Sequence, residues 1–373
     1  MGKKLLYVTC PLLPDFEDLT GGIRKIYESQ WLTNMGYQHN RLETSLRDVL
    51  KVPNVSLFNN GTIALLTAVK ALDLPPGSEV ITTPFTFAAT PHSIAWNGLK
   101  PVFCDIEPDT MTIDPDKIET LITPNTSAIV GVHVYGFPCR VKRIKEIADR
   151  HGLKVVYDAA HAFGTEIDGV GIGNFGDITM FSFHATKLFN TIEGGCLTYG
   201  DTSLSSRIYN LRNFGIRNEE LVEDVGINGK MNELQAAWGI LNLQKFNEER
   251  AKRSRIKARY NEALSAIAGL RIPKLPREVS DSCQYYPVIV EDGFAETRDR
   301  LFDRFRAENI IVRKYFYPAC SDYDCYKGVT SCVRMPLTVC DDIKKRVLCL
   351  PLYGSLSEDD VSRVIDVFGR CPN

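Results

Sequence analysis

Residues 154–164, KVVYDAAHAFG, and residues 177–200, DITMFSFHATKLFNTIEGGCLTYG, decide the fold. Both open on an unbroken apolar run rather than on an alternation of apolar and polar residues. Alternation marks a strand with one wet face, whereas continuous runs mark strands buried on both faces, as in a largely parallel or mixed sheet covered by helices. Upstream, the same kind of run recurs as VSLF (55–58), EVITT (79–83), KPVFCDI (100–106) and SAIVGVHVY (127–135). Helix-length segments separate most of them. GTIALLTAVKAL follows Asn60, and VKRIKEIADRHG closes on Gly152, as a helix terminus should. Strands alternating with helices predict an α/β fold. In such sheets ligands gather at the carboxyl ends of the strands. Asp105, His133, Asp158 and Ser182 all fall near such ends, so they are predicted to converge on one crevice.

Beyond this region, residues 232–267 lose Gly and Pro almost completely and read as one long helix or two in series. The basic stretch from Lys252 to Arg259 has acidic neighbours, Glu248 and Glu249, and is predicted to be a solvated helix face. After Pro273 the pattern becomes SDSCQYYPVIVED, TRDRLFDRFRAENI, IVRKYFYP and a last helix from Ser357. Strand, helix, strand and helix in that order predict a second, smaller α+β domain. We place the division at residues 1–250 and 251–373.

The composition agrees with an ordinary globular protein: 373 residues, 44% hydrophobic, 24% charged, with a formal net charge of −2. Lys plus Arg at 44 against Asp plus Glu at 46 leaves no surplus to draw nucleic acid or anionic lipid, so small molecules are the expected partners. No apolar stretch approaches the roughly 20 residues of a membrane span. The short run after Lys3 and Lys4 is cut by Pro11, Pro14 and Asp15, unlike a signal peptide. The Met-Gly start has Leu6 where a myristoylation signal needs Ser or Thr. Eleven scattered cysteines without a C-x-x-C pair suggest neither a disulfide framework nor a zinc site, and the group Cys320, Cys325, Cys332 and Cys340 is read as free thiols. A cytoplasmic location without metal is the expectation.

Two glycine-bearing signals must be told apart. Gly171, Gly173 and Gly176 satisfy G-x-G-x-x-G, but they follow the polar IDG turn and run straight into DITMFSF. A dinucleotide fingerprint has to follow a strand and open a helix, so this is a turn and a nicotinamide oxidoreductase is not supported. The stronger signal is Lys187 just past a buried apolar run. Burial of an ammonium is costly unless its charge is paired or its pKa falls, and a lysine of lowered pKa makes a Schiff base. Pyridoxal phosphate needs such a lysine, a carboxylate on its pyridinium nitrogen and a phosphate cradle. Asp158, ending KVVYD, fits the carboxylate. Asn60-Gly61-Thr62 at a strand-to-helix turn fits the cradle, where N–H groups favour an anion, and Ser182 adds a hydroxyl. Each residue alone has a structural explanation as cap, turn or surface lysine; their joint occurrence in this order carries the reading.

Taken together, QWLTNMG, NNGTIALL, EVITTPFTFAATPHSI, KPVFCDIEPDTMTID, VHVYGFP, VVYDAAHAFG, FSFHATKLFNTIEGG and GINGKMNELQAA resemble the fold-type-I, pyridoxal-phosphate-dependent sugar-nucleotide aminotransferases over nearly the whole chain. The resemblance implies a seven-stranded, mostly parallel sheet sandwiched by helices, with a smaller C-terminal α+β domain. It implies Lys187 as the Schiff-base lysine, Asp158 as the pyridinium partner, His161 beside the ring's phenolic oxygen and Phe87 stacked on the ring. Gly61, Thr62 and Ser182 match the phosphate cradle. Asn228 matches an asparagine supplied across a dimer interface, which implies a homodimer with composite sites. Two departures stand out: Asn60 where the family usually has Ser, and Asn228-Gly229-Lys230 where it has Asn-Tyr-Arg or Asn-Tyr-Lys. Lys230 of the neighbouring subunit, Lys314 and Tyr315, with Tyr317, are candidate substrate contacts. L-glutamate is the implied donor, pyridoxamine phosphate the implied carrier of the amine, and a nucleotide-linked ketosugar the acceptor. FHATK and FNTIEGG resemble the branch acting at C4 of a dTDP-4-keto-6-deoxyhexose; action at C3 is the alternative, and a non-catalytic, cofactor-binding regulator a more distant one.

Overall fold

The computed structural model describes residues 4–369. The Met-Gly start and Cys371 lie outside the described residues. Seven strands build the central sheet: β1 (Asn54–Phe58), β2 (Glu79–Thr82), β3 (Lys100–Phe103), β4 (Thr126–Val132), β5 (Lys154–Asp158), β6 (Ile178–Ser182) and β7 (Gly195–Tyr199). They lie in the order β1-β7-β6-β5-β4-β2-β3. Only β7 runs against the rest, pairing antiparallel with both β1 and β6.

The continuous apolar runs have the cause inferred for them. Successive side chains point to opposite faces of a strand, so Val155 and Tyr157 enter one core while Val156 enters another; Phe181 and Met180 divide in the same way. Helices α1 (Phe16–Ser29), α2 (Tyr37–Leu50), α3 (Gly61–Ala71), α4 (Ala89–Trp96) and α5 (Val141–His151) flank the sheet. Leu42 and Leu46 of α2 and Ile144 and Ile147 of α5 fill the first core; Ala64, Leu65 and Ala68 of α3 fill the second. Gly152 stops α5 at φ 67°, a left-handed geometry that glycine adopts without a Cβ penalty.

The span from residue 232 resolves into one helix, α6 (Glu233–Leu264), of 32 residues. Asn232 caps it, accepting the Gln235 N–H at 2.9 Å, while the Gln235 side chain accepts the Asn232 N–H at 3.4 Å. Its first half (Ala236, Ile240, Phe246) packs on the large sheet. Its last turns (Ile256, Tyr260, Leu264) pack in a separate core with Leu301, Phe305, Val361 and Val364. The basic stretch is not wholly solvated. Arg253 is fully buried, its Nε 2.7 Å from Glu249, which also accepts the Gly354 N–H at 2.8 Å.

The C-terminal part holds an antiparallel sheet of β8 (Leu270–Arg271), β9 (Tyr286–Val290) and β10 (Val347–Leu350). IVRKYFYP does not form the expected strand. It makes one isolated bridge, Arg313 to Cys349, because Tyr315 and Phe316 turn into the cavity described below; the apolar run at β10 takes the place beside β9. GIGNFG is a turn, with a short 3-10 segment at Ile172–Asn174 leading into β6. Cys320, Cys325, Cys332 and Cys340 are free thiols. Among the described residues no helix is long and apolar enough to cross a membrane.

Candidate active site

The carboxyl ends of β1, β5 and β6 open on one cavity of about 760 Å³. Asp158, the last residue of β5, lies on its floor. Its Oδ2 accepts the Thr90 hydroxyl at 2.8 Å and its Oδ1 the Ala160 N–H at 3.0 Å. Burial raises the carboxyl above its ordinary value, and these two hydrogen bonds and the Lys187 charge pull the other way. Lys187 follows β6 and reaches the same cavity, with Nζ 6.0 Å from the centroid of Tyr285. Desolvation lowers its ammonium to about 8, opposed by the Asp158 charge. Roughly a tenth of such an amine is free base at neutral pH, against a negligible share for an ordinary lysine.

His161 lines the same cavity. Its Nδ1 accepts the Tyr135 N–H at 3.1 Å, so in the neutral ring the proton is on Nε2. Burial, and then the Lys187 charge, push its pKa well below the ordinary value and keep it neutral. Phe316 stacks parallel to it at 6.0 Å and Tyr285 meets it edge-on at 4.8 Å.

At the end of β1, Asn60 caps α3 by accepting the Ile63 N–H at 2.8 Å. The preceding N–H groups, of Gly61 and Thr62, belong to the first turn, where a helix has no acceptor of its own. They face Ser182 at the end of β6. A Cβ on Gly61 would stand 2.9 Å from the Ser182 Cβ, and one on Gly195 would stand 2.8 Å from the Gly61 Cα. Two glycines thus keep open a cradle of N–H and hydroxyl groups at a helix N-terminus, a place suited to an anion.

The sequence of the DegT/DnrJ/EryC1/StrS aminotransferase family matches residues 16–368. The chain belongs to that family. It is 41% identical over 367 residues to a dTDP-4-amino-4,6-dideoxy-D-glucose transaminase of Escherichia coli, with 98% of both chains covered. It is 42% identical over 368 residues to a protein of the same name from Shigella dysenteriae, covering 97% of this chain and 98% of the relative. Among solved structures, that of DesI in the presence of its TDP-sugar product superposes with a TM-score of 0.93 at 36% identity, covering 98% of this chain and 93% of that one. The protein is an aminotransferase of this pyridoxal-phosphate-dependent family.

The cavity fits that cofactor: a cradle that a Cβ would fill, a buried carboxylate, an amine of lowered pKa, and Phe87, whose ring lines the cavity while 62% exposed. Of the expected residues, Gly61, Thr62, Phe87, Asp158, His161, Ser182, Lys187 and Tyr315 all line this one cavity. Asn228, Lys230 and Lys314 do not. Asn228 is exposed, its carbonyl accepting the Asn59 side chain at 3.2 Å. Lys230 donates to Asn213 Oδ1 at 2.8 Å, and Lys314 pairs with Asp299 at 2.5 Å. Tyr317 is half exposed outside the cavity, against the Arg298 guanidinium.

Two of the four strand-end residues are corrected. Asp105 is fully buried in an anchoring role, paired with Lys117 at 2.9 Å and accepting the N–H groups of Val339 and Cys340. His133 is buried against Tyr157 with ring centroids 4.6 Å apart. Asp105 follows the edge strand β3, whereas His133 follows Val132, which does line the cavity, and turns to the opposite face, where its Nδ1 accepts the Cys139 N–H at 3.0 Å. The sequence reading did not find Thr90, Tyr285, Phe316, Thr186 or Glu193 as site residues. FHATK and FNTIEGG, flanking Lys187, already held the signal for Thr186 and Glu193. Tyr285 and Phe316 come from distant sequence that only folding brings in.

Proposed function

We propose that this protein transfers an amino group from L-glutamate to C4 of a nucleotide-linked 4-keto-6-deoxyhexose, dTDP-4-keto-6-deoxy-D-glucose. The observation that carries it is the pairing of Lys187, at a pKa of about 8, with the buried Asp158 in one cavity. The two relatives named for a 4-amino product, matched end to end, support the position of transfer. NMR of the product from dTDP-4-keto-6-deoxy-D-glucose and L-glutamate tests it: an equatorial amine on C4 is expected. An amine on C3, or turnover with the 3-keto isomer only, overturns the regiochemistry and leaves the aminotransferase standing.

When bound, pyridoxal phosphate supplies an electron sink for the carbanion formed at the substrate carbon. Lys187 would hold it, and once displaced would carry the proton to and from the substrate carbon as the base. Asp158, whose carboxylate accepts the Thr90 hydroxyl and the Ala160 N–H, would hold a proton on the ring nitrogen. The Nε2–H of His161 would meet the ring's phenolic oxygen, Phe87 would stack on the ring, and Gly61, Thr62 and Ser182 would hold the phosphate.

The acceptor and the donor are both anionic, yet among the described residues Lys187 is the one lysine or arginine lining the cavity. A second subunit would supply the missing donors, Asn228 and Lys230, making a homodimer with composite sites. Unpartnered apolar side chains support such an interface: Phe16 is 74% exposed, Tyr27 82% and Val225 88%. Lys314 and Tyr315 would complete the substrate contacts, Lys314 after release from Asp299. The same reading divides the chain into a cofactor-binding part, 1–250, and a smaller part, 251–373. Separate cores at the two ends of α6 support that division, while Leu6 lies in the C-terminal one and a further core packs Phe103 and Tyr135 with Tyr285 and Phe316 across it.

A further inference from the structure

The cavity wall carries a second carboxylate for which the chemistry above has no task. Glu193 lines the cavity together with Lys187 and His184, and its side chain is 54% exposed. Its backbone is held under constraint. Ile192, immediately before it, lies in the left-handed region at φ 68°, an outlier for a β-branched residue. Asn190 Oδ1 accepts the Ile192 N–H at 3.3 Å and the Trp238 indole N–H at 3.0 Å, and Asn242 donates to the Asn190 carbonyl at 3.0 Å. The Thr191 hydroxyl and the Gln235 amide donate to the Glu193 carbonyl at 2.7 and 2.6 Å. A strained residue persists only where its surroundings over-determine it, and such residues cluster at functional sites. Here the strain fixes where the Glu193 side chain leaves the backbone.

His184 bounds the carboxylate from the other side. Its Nδ1 accepts the Thr186 N–H at 3.2 Å, so in the neutral ring the proton is on Nε2, which lies 3.5 Å from Glu193 Oε1. An ionised carboxylate only accepts hydrogen bonds. The diphosphate and the donor's carboxylates are anions and have nothing to offer it, and the nitrogen being transferred is engaged at the reacting carbon beside Lys187. Of the donors the nucleotide sugar carries, the ring hydroxyls of the hexose stand next to the carbon that reacts beside Lys187, whereas the deoxyribose hydroxyl and the base N–H lie beyond the diphosphate.

We propose that Glu193 is a specificity-determining residue that accepts a hydrogen bond from a ring hydroxyl of the hexose. The proposal rests on the reading of aminotransfer to a nucleotide-linked hexose given above. A site built to bond a hydroxyl discriminates against the analogue that lacks it far more strongly than an apolar pocket does.

The two half-reactions are measured separately on the holoenzyme by rapid-mixing absorbance, for the wild type, Glu193→Gln and Glu193→Ala. Glu193→Gln keeps the side-chain volume, and the cofactor absorbance of each variant reports an intact site. The sugar half-reaction of Glu193→Ala, which removes the acceptor, is expected to fall about tenfold to a hundredfold in kcat/KM relative to its donor half-reaction, and that of Glu193→Gln, whose amide oxygen still accepts but without the charge, by less. With nucleotide-linked 4-ketosugars lacking the C2 or the C3 hydroxyl, one of the two analogues is expected to erase the difference between wild type and variant. Equal loss in both half-reactions, or a penalty that persists with both analogues, overturns the role of Glu193 while the function stands. No transfer by the wild-type protein to any nucleotide-linked ketosugar overturns the function and this role with it.

Discussion

Thr90, on α4, donates its hydroxyl to Asp158, at the end of β5, across a distance of 2.8 Å. The bond joins a helix to the carboxylate proposed to hold the cofactor's ring nitrogen. Burial raises the Asp158 carboxyl, and each hydrogen bond to its charged form offsets part of that rise. Thr90→Val removes the donor and keeps the shape. The carboxyl should then titrate at higher pH, so the acid limb of the pH–rate profile is expected to move upward, with kcat down about tenfold and a stability loss of about 1 kcal/mol. Thr90→Ser should restore the profile. An unmoved acid limb in Thr90→Val, with the fold intact by circular dichroism, would mean that the ring nitrogen does not depend on this bond.

The lowered pKa of Lys187 gives a second expectation, read on the cofactor-free protein. A lysine attacks an aldehyde only as free amine, so recombination of the apoprotein with pyridoxal phosphate should accelerate as pH rises and level off above about 8. An ordinary lysine would keep accelerating to about 10.4. Stopped-flow absorbance across pH 6 to 10 distinguishes the two curves. Lys187→Ala should bind the cofactor more weakly, without the near-visible band and without transamination; wild-type turnover in that variant would remove Lys187 from the chemistry.

Gly61→Ala tests the cradle. The added Cβ would meet Ser182 at 2.9 Å, too close for a relaxed contact, and both residues sit on the ends of packed strands and helices that have little room to yield. The expected result is a loss of phosphate affinity, seen as a cofactor Kd raised at least tenfold by fluorescence titration, with a smaller loss of stability. Ser182→Gly in the same background should restore part of the affinity. An unchanged Kd in Gly61→Ala would place the phosphate elsewhere in the cavity.

How far the site could be read in advance follows from where its parts lie in the chain. Asp158, Ser182 and Lys187 fall at the ends of apolar runs whose continuity marks buried strands, and the strand-to-helix turn at Asn60-Gly61-Thr62 is equally local. Asp105 and His133 share that local signature, yet the edge position of β3 takes Asp105 out of the crevice and the alternation of side chains past Val132 turns His133 to the other face, onto Tyr157; neither is written in a single run. The same holds for IVRKYFYP, which is apolar and aromatic enough for a strand but spends Tyr315 and Phe316 on the cavity. Arg253 carries the opposite lesson: a charge among charges on a long helix looks solvated until Glu249, one turn earlier, is seen to bury with it.

The last expectation concerns the second subunit. Asn228 lies outside the cavity of its own chain, exposed beside Asn59, so a role at the cofactor has to be played in the neighbouring site. Lys187→Ala and Asn228→Ala homodimers should then both be impaired, the first through the lost base and the second through the lost contact to the neighbouring cofactor. In a mixed dimer, the site built around the Asn228→Ala chain keeps its own Lys187 and receives Asn228 from the partner subunit, so it carries neither defect. After full exchange half of the dimers are mixed and one of their two sites is whole, giving roughly a quarter of wild-type activity. Recovery to that level, checked against tagged heterodimers isolated by affinity, is the expected outcome. No recovery with exchange verified and both parents impaired would place the action of Asn228 within its own subunit.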